Sequence, residues 1–415
     1  MLSLYIHIPF CQSKCKYCAF TSFPIGEKKE KVDTYLQALK DEIHFYWNIL
    51  NKPSLKTLYF GGGTPNLLGK EKLIELISYV EQHFNLEDLW ELSFEFNPYP
   101  EEEIYEIIQW LQKQFWKRYP RIRFSFWIQS FDNEVLSLAW RKSSFIGLVD
   151  FLRGLRPLKE DTTVFNFDFI AFWKRNKSKK GNPYLRTQPA LEFFHDFVNS
   201  WFADSFSLYT LELFDHQVRK KKQPEKLISW AYFWTDDEIY EEFSLLKEIL
   251  LEAGYSRYEI SNFALAGKSS IHNRVYREME SYLGLGLNSA SFFNQKDMTE
   301  GLKDYLWITK DEKAVRFKNT TDLEKYIGWK FLDEKETQNL WEKDYLIESF
   351  FLGLRTDRGV ENIKNYEKIL VPKYKEKLLR YQEENLLIFD WDRLVLTDNW
   401  MDVFNAILTD IMQEI

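Results

Sequence analysis

Three features of the sequence predict an α/β fold. We expect a partial (β/α)6 barrel followed by a small, mainly helical C-terminal domain. Strand-like and helix-like segments alternate through the first half, which is typical of parallel β/α units. About six such units occur before residue 235, fewer than the eight of a closed barrel. From residue 300 onward the chain is rich in charge and its pattern is largely helical.

The predicted strands are short apolar runs that end at turn-forming residues. They cover residues 2–8, 55–60, 89–96, 122–129, 163–170 and 205–211. A Gly-Gly-Gly-Thr-Pro turn over 61–65 ends the second strand, and Asn97-Pro98 ends the third. Helices are predicted between the strands, most clearly over 31–50, where apolar residues recur with helical spacing at Val32, Leu36, Leu39, Ile43 and Trp47.

Residues able to bind a ligand lie at or just after the predicted strand ends. They are the three cysteines at 11, 15 and 18, the glycine run, Glu95, Gln129 and Asp168. In parallel β/α barrels the chemistry gathers at the carboxyl ends of the strands. These residues are therefore expected to share one site.

The chain is expected to divide into three parts. Residues 1–235 form the core barrel, 236–300 a segment that flanks it and carries a His-Asn pair, and 301–415 the C-terminal helical domain. Within the last part, residues 385–396 have the pattern of a short hairpin.

Composition and charge argue against several classes of partner. The chain has 415 residues, 45% of them hydrophobic, with a net charge of −8 and a pI near 5.5. No nucleic-acid partner is expected, because non-specific binding needs a broad basic face. The basic clusters at 174–180 and 219–222 are typical of solvated loops. No stable membrane span is expected either, since the apolar run over 2–10 is too short and contains His7 and Pro9.

Cysteine usage indicates a metal site. Cys11, Cys15 and Cys18 are the only cysteines of the chain, and they follow a C-x3-C-x2-C spacing. Such a loop suits a reducing compartment better than a disulfide framework, so a cytoplasmic location is expected. Three thiolates can hold three irons of a [4Fe–4S] cluster and leave the fourth open for S-adenosylmethionine (SAM). A zinc site with His7 or another group as fourth ligand is the alternative.

The surroundings of the cysteines resemble a known family. The segment Tyr-Ile-His-Ile-Pro-Phe-Cys-x3-Cys-x-Tyr-Cys over 5–18 is similar to the opening of the oxygen-independent coproporphyrinogen III oxidase family of radical SAM proteins. The likeness continues through motifs at 60–65, 95–98, 129–132, Arg141, Asp168, 258–264, 272–273, 351–355 and 394–397. It therefore extends over nearly the whole chain.

The resemblance implies roles for individual residues. It implies that Gly62, Gly63, Thr64 and Glu95 contact SAM, and that Tyr5 and Tyr17 line the cluster and SAM. It also implies that a second SAM is held by Gln129, Arg141 and Asp168, whose other interpretation is hydrogen bonding inside the barrel. After Asp168 the chain departs from the family's Gly-Leu-Pro turn and continues into a basic, polar insertion.

Two positions favour one branch of the family. The oxidases carry a further cysteine where this chain has Phe20, and this replacement resembles the HemW branch of haem chaperones. That branch also carries a His-Asn-x-x-Tyr-Trp motif, which this chain matches at His272, Asn273 and Tyr276 but not at Arg277. The resemblance implies that His272 is an axial haem ligand. The alternative for a lone histidine is a surface or hydrogen-bonding role.

The resemblance thus implies a haem chaperone with a [4Fe–4S] cluster, SAM and haem as cofactors. Its partners would be haem or a porphyrin, a haem-acceptor protein and an electron donor for the cluster. The alternative function is the oxidative decarboxylation of coproporphyrinogen III to protoporphyrinogen IX, so whether the protein is an enzyme stays open.

Overall fold

The computed structural model describes residues 1–415 apart from 16, 116–117, 140, 172–187, 201, 211–235, 310–311, 391, 402–403 and 413–415. Both basic clusters and the insertion that begins beyond Ala171 lie outside the described residues.

Strands of the described residues form one large sheet and two small ones. In chain order they are β1 Leu2–Ile8, β2 Phe10–Cys11, β3 Phe23–Pro24, β4 Leu55–Gly62, β5 Glu91–Phe96, β6 Ile122–Gln129, β7 Thr163–Ala171, β8 Ser205–Thr210, β9 Ser256–Glu259, β10 Asn262–Ala264, β11 Tyr282–Leu285, β12 Ala290–Asn294, β13 Ala314–Lys318, β14 Gln338–Leu340, β15 Val360–Glu361, β16 Leu387–Phe389 and β17 Arg393–Leu396. The large sheet has the order β14-β13-β12-β11-β1-β4-β5-β6-β7-β8-β10-β9.

The predicted parallel unit is confirmed at its centre. The strands β1, β4, β5, β6, β7 and β8 pair in parallel with their neighbours, in the order in which the sequence predicts them. Antiparallel strands extend both edges: β12, β13 and β14 beyond β11 on one side, and β10 and β9 beyond β8 on the other. The (β/α)6 barrel is therefore partial.

Helices connect the parallel strands and cover their outer face. The α-helices of the described residues run over Ile25–Lys28, Val32–Ile49, Lys70–His83, Glu101–Phe115, Asn133–Leu138, Phe145–Leu155, Gln188–Asn199, Asp236–Glu252, Ile271–Arg277, Glu300–Leu306, Leu323–Ile327, Glu342–Gly353, Tyr374–Glu383, Asp398–Met401 and Phe404–Ile411. No helix in the described part of the chain is both long and apolar enough to cross a membrane.

A layer of phenylalanines packs the sheet against these helices. On β6, Phe124 and Phe126 project from the same face, and the Phe126 ring lies 5.3 Å from that of Phe151 in the Phe145–Leu155 helix. Phe167 of β7 lies 5.0 Å from Phe197 in the Gln188–Asn199 helix. The high aromatic content is thus used largely in the core. Because side chains alternate along a strand, the intervening residues face the barrel interior.

The C-terminal part has its own apolar cluster, which extends from Phe350 to Met412. It contains helices and a three-stranded sheet, β15-β17-β16, so it is of mixed structure. The predicted hairpin within 385–396 is confirmed as the antiparallel pair β16 and β17. The larger cluster of the barrel reaches Phe331. Packing thus changes between 331 and 350, later in the chain than the predicted division at 301.

Candidate functional site

A cavity of about 770 Å³ lies at the carboxyl ends of the parallel strands. Predicted site residues that line it are Cys11, Cys15, Tyr17, Cys18, Thr64, Glu95, Gln129, Arg141 and Asp168. The structure therefore brings together residues that are spread over more than 150 positions of the sequence, as expected when parallel strands end at one edge. Those of the predicted set that do not line the cavity are Tyr5, Gly62, Gly63 and His272.

Cys11 is anchored to the end of strand β4. It ends the short strand β2, and the Thr64 hydroxyl lies 3.6 Å from its sulfur. The backbone N–H groups of Gly63 and Thr64 donate to the carbonyls of Ile8 and Phe10, each at 2.7 Å. Because these bonds fix the backbone that leads into Cys11, its side chain has a defined position at the cavity wall.

The other two cysteines each lie near a cation. A guanidinium nitrogen of Arg141 is 4.0 Å from the Cys15 sulfur, and the Lys14 ammonium is 3.9 Å from that of Cys18. Burial raises the pKa of the Cys18 thiol, and Lys14 opposes this in part. Burial also raises the pKa of Cys11. Thiols of this kind lose their protons when a metal binds, so cation neighbours favour the ligating form.

Within the described residues, no three His, Cys, Asp or Glu side chains meet closely enough to hold a metal ion. A [4Fe–4S] cluster has a different requirement, because each thiolate binds its own iron. Three cysteines on one loop beside a cavity, with charged donors near two of the sulfurs, fit such a cluster.

His7, the proposed fourth ligand of a zinc site, has both ring nitrogens engaged. Its Nε2 lies 3.0 Å from the carbonyl of Thr21, which can only accept, so Nε2 carries the proton. Its Nδ1 then accepts from the hydroxyl of Tyr5 at 3.0 Å. Burial lowers the pKa of His7 to about 4, which keeps the ring neutral. The Tyr5 hydroxyl therefore orients a buried histidine behind the cavity wall.

The glycines of the 61–63 turn serve packing. Gly62 has a φ of +104°, and a Cβ atom there would lie 2.3 Å from Nδ1 of His7. A Cβ atom on Gly63 would lie 2.5 Å from the carbonyl oxygen of Ile8. Glycine at these positions lets the end of β4 approach β1 closely. Thr64 is the residue of this turn that reaches the cavity.

Glu95 presents a carboxyl group to the cavity from the end of β5. Its Oε1 accepts from the Tyr59 hydroxyl at 2.8 Å, and its Oε2 accepts from the Gly62 N–H at 2.9 Å. Each carboxylate oxygen can accept a further hydrogen bond. Burial raises the pKa of Glu95 to about 7, against the lowering effect of these two donors. The group can thus pair with a ligand cation when ionised.

Gln129 and Arg141 each have a polar atom that no described residue satisfies. Gln129 has a left-handed backbone with a φ of +68° at the end of β6, which is uncommon for a residue with a side chain. Among the described residues, its Oε1 has no hydrogen-bond partner, and neither has the Nε of Arg141. Another nitrogen of Arg141 donates to Asn97 Oδ1 at 3.0 Å. Buried polar atoms normally have partners, so unpartnered ones in a cavity wall indicate a ligand.

Asp168 belongs to a polar network on the barrel interior. Its two oxygens accept from the Ser125 hydroxyl at 2.9 Å and from the Asn166 amide at 2.7 Å. The same amide nitrogen also lies 3.0 Å from the Ser207 hydroxyl. Burial raises the pKa of Asp168, while Ser207, Ser125 and the nearby Arg123 lower it. The network supports the alternative role in barrel hydrogen bonding without removing Asp168 from the cavity wall.

The cavity is also lined by residues that the sequence did not predict as site residues, among them Arg123, Ser125 and Trp127. On β6 the positions that line the cavity alternate: Arg123, Ser125, Trp127 and Gln129. The signal is present in the sequence, because these residues are interleaved with the phenylalanines that face the helices. From the second half, Glu259, Asn273, Tyr276, Arg277 and Arg355 also line the cavity.

His272 is buried in the Ile271–Arg277 helix, with 1% of its surface exposed. Its Nδ1 lies 2.7 Å from the Thr57 hydroxyl, and its Nε2 lies 2.7 Å from the hydroxyl of Tyr276. Burial lowers its pKa to about 4, so the ring is neutral. Tyr276 lines the cavity and His272 does not, so the tyrosine separates the imidazole from the cavity.

The sequence was compared with protein-family models and with known proteins. Residues 5–167 match the model of the radical SAM superfamily. A heme chaperone HemW of Lactococcus lactis is 26% identical over 409 residues, covering 98% of this chain and 96% of the relative. A heme chaperone HemW of Bacillus subtilis is 28% identical over 369 residues, covering 89% and 87%.

Among solved structures, the coproporphyrinogen III oxidase HemN of Escherichia coli, a radical SAM enzyme, superposes with a TM-score of 0.73. It is 20% identical, and the match covers 98% of this chain and 89% of that one. At this level of identity the likeness concerns the fold alone.

Proposed function

Because this chain is a HemW-like member of the radical SAM superfamily, we propose that it is a haem chaperone, which binds haem and passes it to an acceptor protein. The observation that carries the proposal is one cavity that joins the cysteine loop to the helix of the His-Asn motif. Its volume lies within the range of small-molecule sites, roughly 300–1,000 Å³. Aromatic side chains contribute to its wall at Tyr17, Phe20, Tyr59, Tyr99, Trp127, Tyr209 and Tyr276. A flat, largely apolar macrocycle packs well on such residues.

A [4Fe–4S] cluster and SAM are implied by the radical SAM family, and the cavity offers groups for both. Cys11, Cys15 and Cys18 would hold the cluster. When bound, the cluster would pass one electron from an external donor to SAM. Glu95 would accept from the SAM ammonium or its ribose hydroxyls. The unpartnered atoms of Gln129 and Arg141 support a second SAM next to Asp168.

His272 would serve as axial ligand only if Tyr276 moves aside. A ligating imidazole is neutral, and its second nitrogen is normally held by a hydrogen bond. Thr57 already provides that bond at Nδ1, and Nε2 is directed to the Tyr276 hydroxyl at the cavity wall. Rotation of the tyrosine would expose Nε2 to haem.

Haem transfer tests the proposed function. The anaerobically reconstituted protein should hold about four irons per chain, bind haem saturably and release it to an apo-haem protein. Cys15→Ala should lose the cluster. Protein that holds the cluster but neither binds nor transfers haem would contradict the proposal.

Two variants test whether His272 is the ligand of the haem iron. His272→Ala should shift the haem absorption spectrum, and Tyr276→Phe should strengthen haem binding, because it removes the group that occupies Nε2. Haem binding that neither substitution affects would show that another residue ligates the haem iron. That result would be compatible with the chaperone function.

The oxidase alternative rests on the shared fold and on the groups available for a second SAM. Phe20 occupies the position of the oxidases' additional cysteine, lines the cavity and is 60% exposed. An aromatic ring at this position offers a ligand a surface and no thiolate.

A further inference from the structure

Arg277 directs a guanidinium group into the cavity from the last turn of the Ile271–Arg277 helix. Its ion-pair partner is Glu259, whose Oε1 lies 2.7 Å from a terminal nitrogen of Arg277. In the part of the chain that the structure describes, no acceptor makes an aligned hydrogen bond with Arg277. A guanidinium has five N–H donors, so those that do not face Glu259 are available to a ligand.

Glu259 is a buried carboxylate that faces two guanidinium groups. The carboxylate is 3% exposed, and its Oε2 already accepts from the Ser261 N–H at 3.0 Å and the Asn262 amide at 2.7 Å. Its Oε1 faces both Arg277 and, at 3.8 Å, Arg355. Two guanidinium groups and one carboxylate therefore meet at this end of the cavity.

We propose that Arg277 is a carboxylate-binding residue of the cavity and that it takes a propionate of the bound tetrapyrrole. The inference rests on the proposed haem-binding function. A planar guanidinium matches a carboxylate in a two-bond geometry. Haem has two propionates on an otherwise apolar ring, so a site for it needs an aromatic wall together with a cationic end, and this cavity has both. Arg277 stands where the resembled motif has Trp, so this contact is a property of this chain.

A carboxylate is also present in SAM, and the experiment separates the two sources. Haem and its dimethyl ester, which lacks the carboxylates, are titrated into the reconstituted full-length protein under the same conditions. SAM affinity is measured in parallel. Wild-type protein should bind haem roughly tenfold more tightly than the ester, the difference expected for a charge-assisted hydrogen bond.

Arg274→Ala is the matched control for Arg277→Ala. Arg274 lies on the same helix and pairs with Asp357 through two contacts at 2.9 and 3.1 Å, but it does not line the cavity. Its loss therefore removes an ion pair to the C-terminal part without touching the proposed subsite. Arg277→Trp restores the residue of the resembled motif and provides a second test if Arg277→Ala does not fold.

Arg277→Ala and Arg277→Trp should bind haem no better than the ester, with SAM affinity unchanged, whereas Arg274→Ala should keep the tenfold preference. Equal binding of haem and ester by the wild type, with haem bound, would overturn this inference and leave the chaperone proposal intact. A preference that survives in Arg277→Ala, or a loss confined to SAM, would overturn it as well. Wild-type protein that binds neither compound would overturn both proposals.

Discussion

The environment of Glu95 determines the pH range in which its carboxyl group is ionised and can bind a cation. Tyr59 and Gly62 hold its carboxyl group at the cavity wall, and burial raises its pKa to about 7. Above that pH the group is a carboxylate that can pair with an ammonium ion. Below it the group is protonated and the attraction is lost.

SAM affinity should therefore fall as the pH is lowered from 8 to 6. With a pKa of about 7, the ionised fraction of Glu95 drops roughly tenfold over that interval. The affinity can be measured from the effect of SAM on the spectrum of the reduced cluster. In Glu95→Gln, which cannot ionise, affinity should be lower at pH 8 and nearly flat with pH. A pH dependence that persists in the variant would assign it to another group.

Gly63→Ala should disturb the cysteine loop through the backbone. The added Cβ would lie 2.5 Å from the carbonyl oxygen of Ile8 and 2.6 Å from that of Phe10. Such overpacking costs about 1–3 kcal/mol, so the melting temperature and the iron content should both fall. Gly26→Ala is the control, because nothing lies within 4 Å of a Cβ there. Equal behaviour of the two variants would show that the close approach at Gly63 is unimportant.

Residue identities at strand ends were sufficient to predict much of the cavity wall, because polar groups at the carboxyl ends of parallel strands meet in space. The role of a glycine was harder to predict. The resemblance implies a contact between Gly62 and SAM, which stays a prediction, and the structure adds a packing role, because the ring of His7 lies against this glycine. That contact depends on the pairing of β4 with β1, which no local pattern specifies.

At the scale of elements, the Val32–Ile49 helix is tied to the far edge of the sheet by one buried acid. Glu42 is fully buried and accepts from the Gly286 N–H at 2.8 Å and from the Asn319 amide at 2.6 Å. The hydroxyl of Tyr326 donates to it as well. The carboxyl group therefore joins the helix to residues about 240 to 290 positions away.

Glu42→Ala should lower the free energy of unfolding by about 2–4 kcal/mol, because several buried donors lose their acceptor. Equilibrium denaturation measures this. Gln37→Ala changes an exposed position of the same helix, whose amide contacts only Asp41 among the bonds described, and should stay within about 0.5 kcal/mol of the wild type. A Glu42→Ala variant as stable as Gln37→Ala would refute the role of this buried acid.

Elements in which apolar residues recur with a clear period were predicted well, and short elements were not. The parallel strands and their helices follow from apolar runs and helical spacing. Strands β13 and β14 have five and three residues and lie in charged sequence, so they carry too little alternation to be recognised. They extend the large sheet beyond residue 301, the point where the C-terminal domain was expected to begin.

At the scale of the whole molecule, the C-terminal part contributes to the cavity. The Ile260 N–H donates to the Arg355 carbonyl at 3.1 Å, and the Asp357 N–H donates to the Tyr258 carbonyl at 3.3 Å. These bonds bring Arg355 to the cavity beside Glu259. The site is therefore assembled from the barrel, the segment after it and the C-terminal part, which accounts for motifs distributed along the whole chain.

One measurement tests the central claim most directly. A single anaerobically reconstituted preparation is divided: one half is titrated with haem, and the other is incubated with coproporphyrinogen III, SAM and a reductant. We predict saturable haem binding in the first half and no protoporphyrinogen in the second. Steady release of protoporphyrinogen, with no haem bound, would contradict the chaperone function and establish the oxidase.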